Sequence, residues 1–174
     1  MKVPVISAAA LLTLFFVVSP ARAQEDRRDT QLAEKVSSAI TQYTRYTVFD
    51  ELGGTVDQGV VTLTGKVTMP YKRDDIEKRV ARIDGVKTVK NEIAVLPVSI
   101  YDDQLRSRIA RAIYGNPSFW NYANQANPPI HIIVENGRVT LTGVVLSQVD
   151  KLLAQSLATG RGEMAVTNAL KTEM

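Results

Sequence analysis

The chain has 174 residues, 45% of them hydrophobic, with 21 Lys and Arg against 18 Asp and Glu and a single His. It has no cysteine, which excludes disulfides, a thiol nucleophile, thiolate metal sites and a lipid-bearing N-terminal cysteine. A formal net charge of +3 falls short of the strong basic excess that marks nucleic-acid binders.

The first 23 residues read as a cleavable signal peptide. Lys2 supplies the positive start and residues 3–18 an apolar run. Pro20 then breaks the run ahead of Ala21-Arg22-Ala23, a small-x-small cleavage site. The run is short for a membrane span of roughly 20 residues. Cleavage would remove Lys2 and Arg22 and leave 19 basic and 18 acidic residues, a net of +1. The expected mature chain, 24–174, contains no second run of spanning length. Residues 24–28 are expected to be flexible.

The first structured unit is expected over 29–96. Asp29 or Thr30 suits a helix N-cap, and Leu32, Val36, Ala39 and Ile40 are spaced for one apolar face. Gly53-Gly54 is expected to break the chain. Thr55-Val56-Asp57, a turn at Gln58-Gly59 and the β-branched run 60–67 then read as a hairpin. Pro70 opens a second helix whose stripe is Ile76, Val80 and Ile83. Its cations Lys72, Arg73, Lys78, Arg79 and Arg82 interleave with Asp74, Asp75 and Glu77, the pattern of a solvated helix face. Asp84-Gly85 stops it, and residues 86–95 read as a last strand.

The second unit, over 99–174, repeats this order after a short linker at residues 96–99, so the two units are expected to touch. A helix over 102–113 carries Leu105, Ile109 and Ala112, with Asp102 and Asp103 placed to cap it. Asn136-Gly137 between β-branched runs is a strong hairpin signal for strands 130–135 and 138–145. A helix with Val149, Leu152, Leu153 and Leu157 follows, then a strand over 164–170. Helix–strand–strand–helix–strand, twice, gives an α+β fold: two tandem sandwiches, each a three-stranded sheet with both helices on one face.

The repetition is explicit in the residues. Gly59-Val60-Val61-Thr62-Leu63-Thr64-Gly65 recurs as Gly137-Arg138-Val139-Thr140-Leu141-Thr142-Gly143, 78 residues later, identical at six of seven positions. Gly85-Val86-Lys87-Thr88-Val89-Lys90-Asn91 adds a Gly-Val-x-x-Val-x-Asn close. With these motifs the chain resembles the BON domain family of bacterial envelope proteins, in two copies. Within the family it resembles the two-domain periplasmic members, such as an osmotically inducible periplasmic protein. The resemblance implies a non-enzymatic periplasmic protein that binds phospholipid surfaces or envelope partners, with osmotic or membrane stress as the expected setting. Repeat two departs from the pattern with Gly162-Glu163-Met164-Ala165, where its last strand is expected to start less regularly.

Tyr114, Phe119, Trp120 and Tyr122 cluster in a long connection of repeat two, where aromatic rings beside polar neighbours suit a membrane interface. Arg106, Arg108 and Arg111 on the preceding helix are placed to meet lipid phosphates. The competing reading is that Phe119 and Trp120 cap the repeat-two core or plug the seam between the units. His131 alternates out of phase with Ile130 and Ile132 and is expected on the exposed sheet face, without partners for a metal. Gly59, Gly65, Gly85, Gly137 and Gly143 read as structural turn residues, because none lies in a phosphate-binding pattern. No cofactor and no nucleophile–base pairing is indicated. The expected partner is an anionic phospholipid surface or an envelope protein. The alternative is a soluble adaptor or chaperone-like holdase, gripping extended peptide at a free edge strand of each sheet.

Overall fold

The computed structural model describes residues 20–173, with side chains from residue 24. Most of the proposed signal peptide therefore lies outside the described residues. Repeat one runs α1 (Pro20–Thr41), β1 (Glu51–Asp57), β2 (Val60–Val67), α2 (Pro70–Val80), β3 (Thr88–Asn91) and β4 (Ala94–Val95). Repeat two runs α3 (Ile100–Tyr114), a 3-10 turn (Pro117–Phe119), α4 (Trp120–Ala123), β5 (Ile130–Glu135), β6 (Arg138–Val145), α5 (Gln148–Ala158), β7 (Ala165–Asn168) and β8 (Lys171–Thr172).

In both repeats the hairpin supplies the edge and centre of the sheet. β1 pairs antiparallel with β2, and β3 and β4 run parallel to β2 on its other side. β5, β6, β7 and β8 repeat this arrangement. The third strand, expected over 86–95 without a break, is interrupted in both copies by one asparagine. The Asn91 side-chain amide donates to the Arg73 carbonyl at 3.2 Å and the Glu77 carboxylate at 2.8 Å, while its oxygen accepts from the Ile93 amide. Asn168 bonds the Lys151 carbonyl, the Gln155 side chain and the Leu170 amide in the same way. Each asparagine thus bolts the edge strand to the helix before it. The irregular start expected for β7 is absent: Ala165 sits opposite Arg138 as Thr88 sits opposite Val60. The Glu163 carboxylate steadies the preceding loop by accepting from the Gly160 and Arg161 amides.

Residues 24–28, expected to be flexible, are helical within α1, and neither Asp29 nor Thr30 caps a helix start. Asp29 instead accepts from the Gln58 and Gly59 amides at the hairpin turn. Asp102, expected as a cap, does the same for Asn136 and Gly137, both at 2.8 Å. The N-cap of α3 is Ser99, whose hydroxyl accepts from the Asp102 amide. Gly53-Gly54 does not break the chain but lies inside β1. A Cβ on Gly54 would stand 3.2 Å from Val36 Cγ1, so glycine lets α1 press onto the strand.

All five glycines singled out in the sequence carry positive φ. At Gly65 and Gly143 a second constraint joins it, because a Cβ would collide with the Glu51 and Pro129 carbonyl oxygens across the hairpin.

Each repeat has its own core. Val36, Ile40, Val61, Leu63, Ile76 and Val80 centre the first, and Leu105, Ile109, Ile113, Ile132, Leu141 and Ala154 the second. On α5 the buried positions are Ala154 and Ala158, while Val149 and Leu152, two of the apolar residues that mark this helix in the sequence, are exposed. The repeats touch, as their short linker led us to expect. The Ile132 amide donates to the Val48 carbonyl at 2.7 Å, the Asn127 side chain to the Thr41 carbonyl at 2.9 Å, and Phe49 packs on the second core.

Candidate functional site

The seven residues expected to contact a surface separate into two groups. Phe119 is fully buried in the second core, its ring centroid 5.6 Å from that of Tyr122. The Tyr122 phenol accepts from the Leu146 amide and donates to Asp150, both at 2.8 Å, and burial raises its pKa. Tyr114 donates to the Ile130 carbonyl, and burial raises its phenol too. Arg106 is 4% exposed, donates to the Val134 carbonyl at 2.5 Å and pairs with Asp103. These four are therefore corrected from surface contacts to parts of the fold. A loop that must cross the open end of a small sandwich is held there by burying its rings.

Arg108, Arg111 and Trp120 remain. Arg108 and Arg111 lie three residues apart and so share a face of α3, whereas Arg106 points to the opposite side, at β5. Their face is turned away from the stripe of Leu105, Ile109 and Ile113. It forms an open concavity of about 460 Å³ with Ile100, Asp103, Gln104 and Ser107. The only acid there, Asp103, is already paired with Arg106. Arg108 donates from Nε to the Arg161 carbonyl at 3.0 Å and stacks 5.9 Å over the Tyr101 ring. Arg111 makes no ion pair among the described residues. Ile100, beside the arginines, is 78% exposed, and Met164, set against Gly137 in the same domain, is 72% exposed. Trp120, 68% exposed, is carried by the short helix after α3. Ile100 and Tyr101 were not singled out in the sequence, although Ile100 is five residues before Leu105 and so out of phase with the buried stripe.

His131 is not on an open sheet face. It lies at the seam between repeats, its ring centroid 5.2 Å from that of Tyr46, with Nδ1 buried and unpartnered. Desolvation lowers its pKa, opposed by the backbone of Asp50 and Thr47 and the charges of Glu51 and Asp50. Lys72 likewise leaves the solvated face expected of it. It is buried and donates to Asp50 at 2.5 Å.

Residues 28–97 and 101–174 each match the family model of the BON domain. The chain belongs to the BON domain family. Its two BON domains coincide with the two sandwiches, and the face built on α3 lies in the second. Among solved structures the chain is similar to CdsD, a structural protein of the type III secretion system of Chlamydia trachomatis. The identity is 16% over 82% of this chain and 92% of that one, with a TM-score of 0.30. A structure of the CdsD C-terminal domain is similar at 13% identity over 81% of this chain and 96% of that one, with a TM-score of 0.28. No curated protein matches the chain significantly. Among the described residues no three His, Asp or Glu side chains are grouped to hold a metal, and no helix is long and apolar enough to cross a membrane.

Proposed function

We propose that this BON protein is a non-enzymatic component of the bacterial envelope, on the periplasmic side, whose second domain docks on anionic phospholipid. The observation that carries the reading is the outer face of α3. There Arg108 and Arg111 stand beside Ile100, with no free acid between them. Arginines near an anionic surface gain about 1 kcal/mol each from its potential. Exposed Ile100, Met164 and Trp120 would bury apolar area at the headgroup boundary. The tandem arrangement suits weak contacts, because a second contact made by a tethered domain gains from effective concentration. A role in osmotic or membrane stress would follow from such surface binding.

Trp120 is the only tryptophan in the chain, so its fluorescence reports this contact directly. Vesicles of anionic phospholipid should shift its emission to the blue, and neutral vesicles should not. Unchanged emission with anionic vesicles at low salt would refute insertion of the ring.

A further inference from the structure

The two domains treat the outer edge of their first strand differently. With a two-residue turn, Glu135, Ile133 and His131 bond to β6, so the outward backbone groups of β5 belong to Val134, Ile132 and Ile130. All three residues have a closing bond: the Ile130 carbonyl accepts from Tyr114, the Ile132 amide donates to Val48, and the Val134 carbonyl accepts from Arg106. All three are fully buried. The peptide-accepting edge expected of each sheet is therefore shut on β5.

By the same register the outward residues of β1 are Leu52, Gly54 and Val56. Helices α1 and α3 correspond residue by residue. Asp29 and Asp102 hold the hairpin turns, and Val36 and Ile40 are buried where Ile109 and Ile113 are. In this alignment Ala33 stands in place of Arg106 and Thr41 in place of Tyr114, and neither reaches the strand. Tyr46 faces the backbone of Leu52. Among the described residues nothing bonds the outward groups of Gly54 or Val56, and Gly54 is exposed. Between α1 and β1 lies a groove of about 140 Å³ lined by Ala33, Val36, Ser37, Ile40, Leu52 and Gly54. That is on the order of a cavity that admits a benzene ring.

We propose that the open edge of β1 accepts an extended segment of a partner protein by strand addition. The segment's carbonyl would take the Gly54 amide, and one apolar side chain would enter the groove. The molecule already makes one carbonyl-to-edge contact of this kind, from a turn that is continuous with this edge through the chain. The residue pair Val48-Phe49 bonds the β5 edge through a carbonyl while Phe49 enters the neighbouring core. Main-chain bonds give such a complex its affinity, and the groove selects the side chain. The opposite edge is a poorer template, since β3 and β4 are short and interrupted, with Lys90 in β3 and Lys87 just before it.

The test is an amide titration of the isotope-labelled full protein with a synthetic peptide of residues 45–51, which contains the Val48 carbonyl that bonds the β5 edge. The expected result is peptide-dependent shifts and slowed hydrogen exchange at Gly54 and Val56. Methylating alternate peptide amides should weaken binding at least tenfold. Ala33→Arg, which installs the plug used in the second domain, should do likewise. Shifts at Ile132 instead, no shift at Gly54 and Val56 up to millimolar peptide, or equal binding of the methylated peptide would each overturn the proposal. The methylated peptide decides the matter even where Ala33→Arg fails to fold.

Discussion

Asp50 and Lys72 meet at 2.5 Å with neither side chain open to solvent. The Asp50 carboxylate also accepts from the amide and hydroxyl of Thr47 and of Thr68. This knot fixes residues 47–50, the segment that carries Val48 and Phe49 onto the second domain. A buried charge is tolerated only when paired and fully bonded, so removing one partner is costly. Lys72→Ala should lower unfolding free energy by about 3–5 kcal/mol, measured by urea denaturation. Exposed Lys78→Ala should change it by less than about 0.5 kcal/mol.

The same carboxylate sets the acid limit. Burial alone would raise the Asp50 pKa, but the bonds from Lys72, Thr68 and Thr47 hold it below its ordinary value. A folded pKa below the unfolded one of about 3.9 gives stability that is complete above that value and lost as pH falls through the folded pKa. Stability attributable to Asp50 should therefore be flat from neutral pH to about 5 and decline below 4. A Lys72→Ala protein should lose stability at higher pH than the parent.

His131 acts in a higher window. Its folded pKa is lowered, chiefly by desolvation at the seam. The unfolded chain then binds the proton more readily, so this contribution is complete above about 6.5 and fades as pH falls below it. Thermal melting of the parent should lose ground between pH 7 and 5, and His131→Gln should lose less over that interval.

Arg106 guards the β5 edge rather than greeting a ligand. Arg106→Ala should cost about 1.5–3 kcal/mol, the worth of a hydrogen bond to a charged group. It should also accelerate amide exchange at Ile132 and Val134, while amides of β1 remain unchanged.

The repeated glycines that end the Gly-x-Val-x-Leu-x-Gly motif should be intolerant. Gly65→Ala and Gly143→Ala combine positive φ with a collision against a carbonyl oxygen. Each should destabilise its domain by at least about 1–3 kcal/mol, read from the denaturation midpoint. Gly160→Ala, at positive φ but in open space, should cost less.

The repeated hairpins were plain in the sequence because their turns and alternation are local signals. Asn136-Gly137 takes positive φ at both residues, and strands 130–135 and 138–145 fall where alternation placed them. What escaped depends on contacts distant along the chain. Gly53-Gly54 looked like a break because nothing local reveals that Val36 presses on Gly54. Lys72 looked solvated because its partner lies 22 residues earlier, in an irregular segment. Tyr122 looked displayed, and Phe119 stood open between display and the core it in fact caps, because a loop's composition does not say which side of it meets a core. Arg108 and Arg111 could be separated from Arg106 by helical phase alone.

The decisive measurement is flotation of residues 24–174 with anionic phospholipid vesicles, comparing the parent with Arg108→Glu/Arg111→Glu. The parent should float with anionic vesicles, less so as salt rises, and should not float with neutral ones. The double variant should stay at the bottom of the gradient while melting like the parent. A folded double variant that floats as well as the parent would contradict the α3 face as the docking surface.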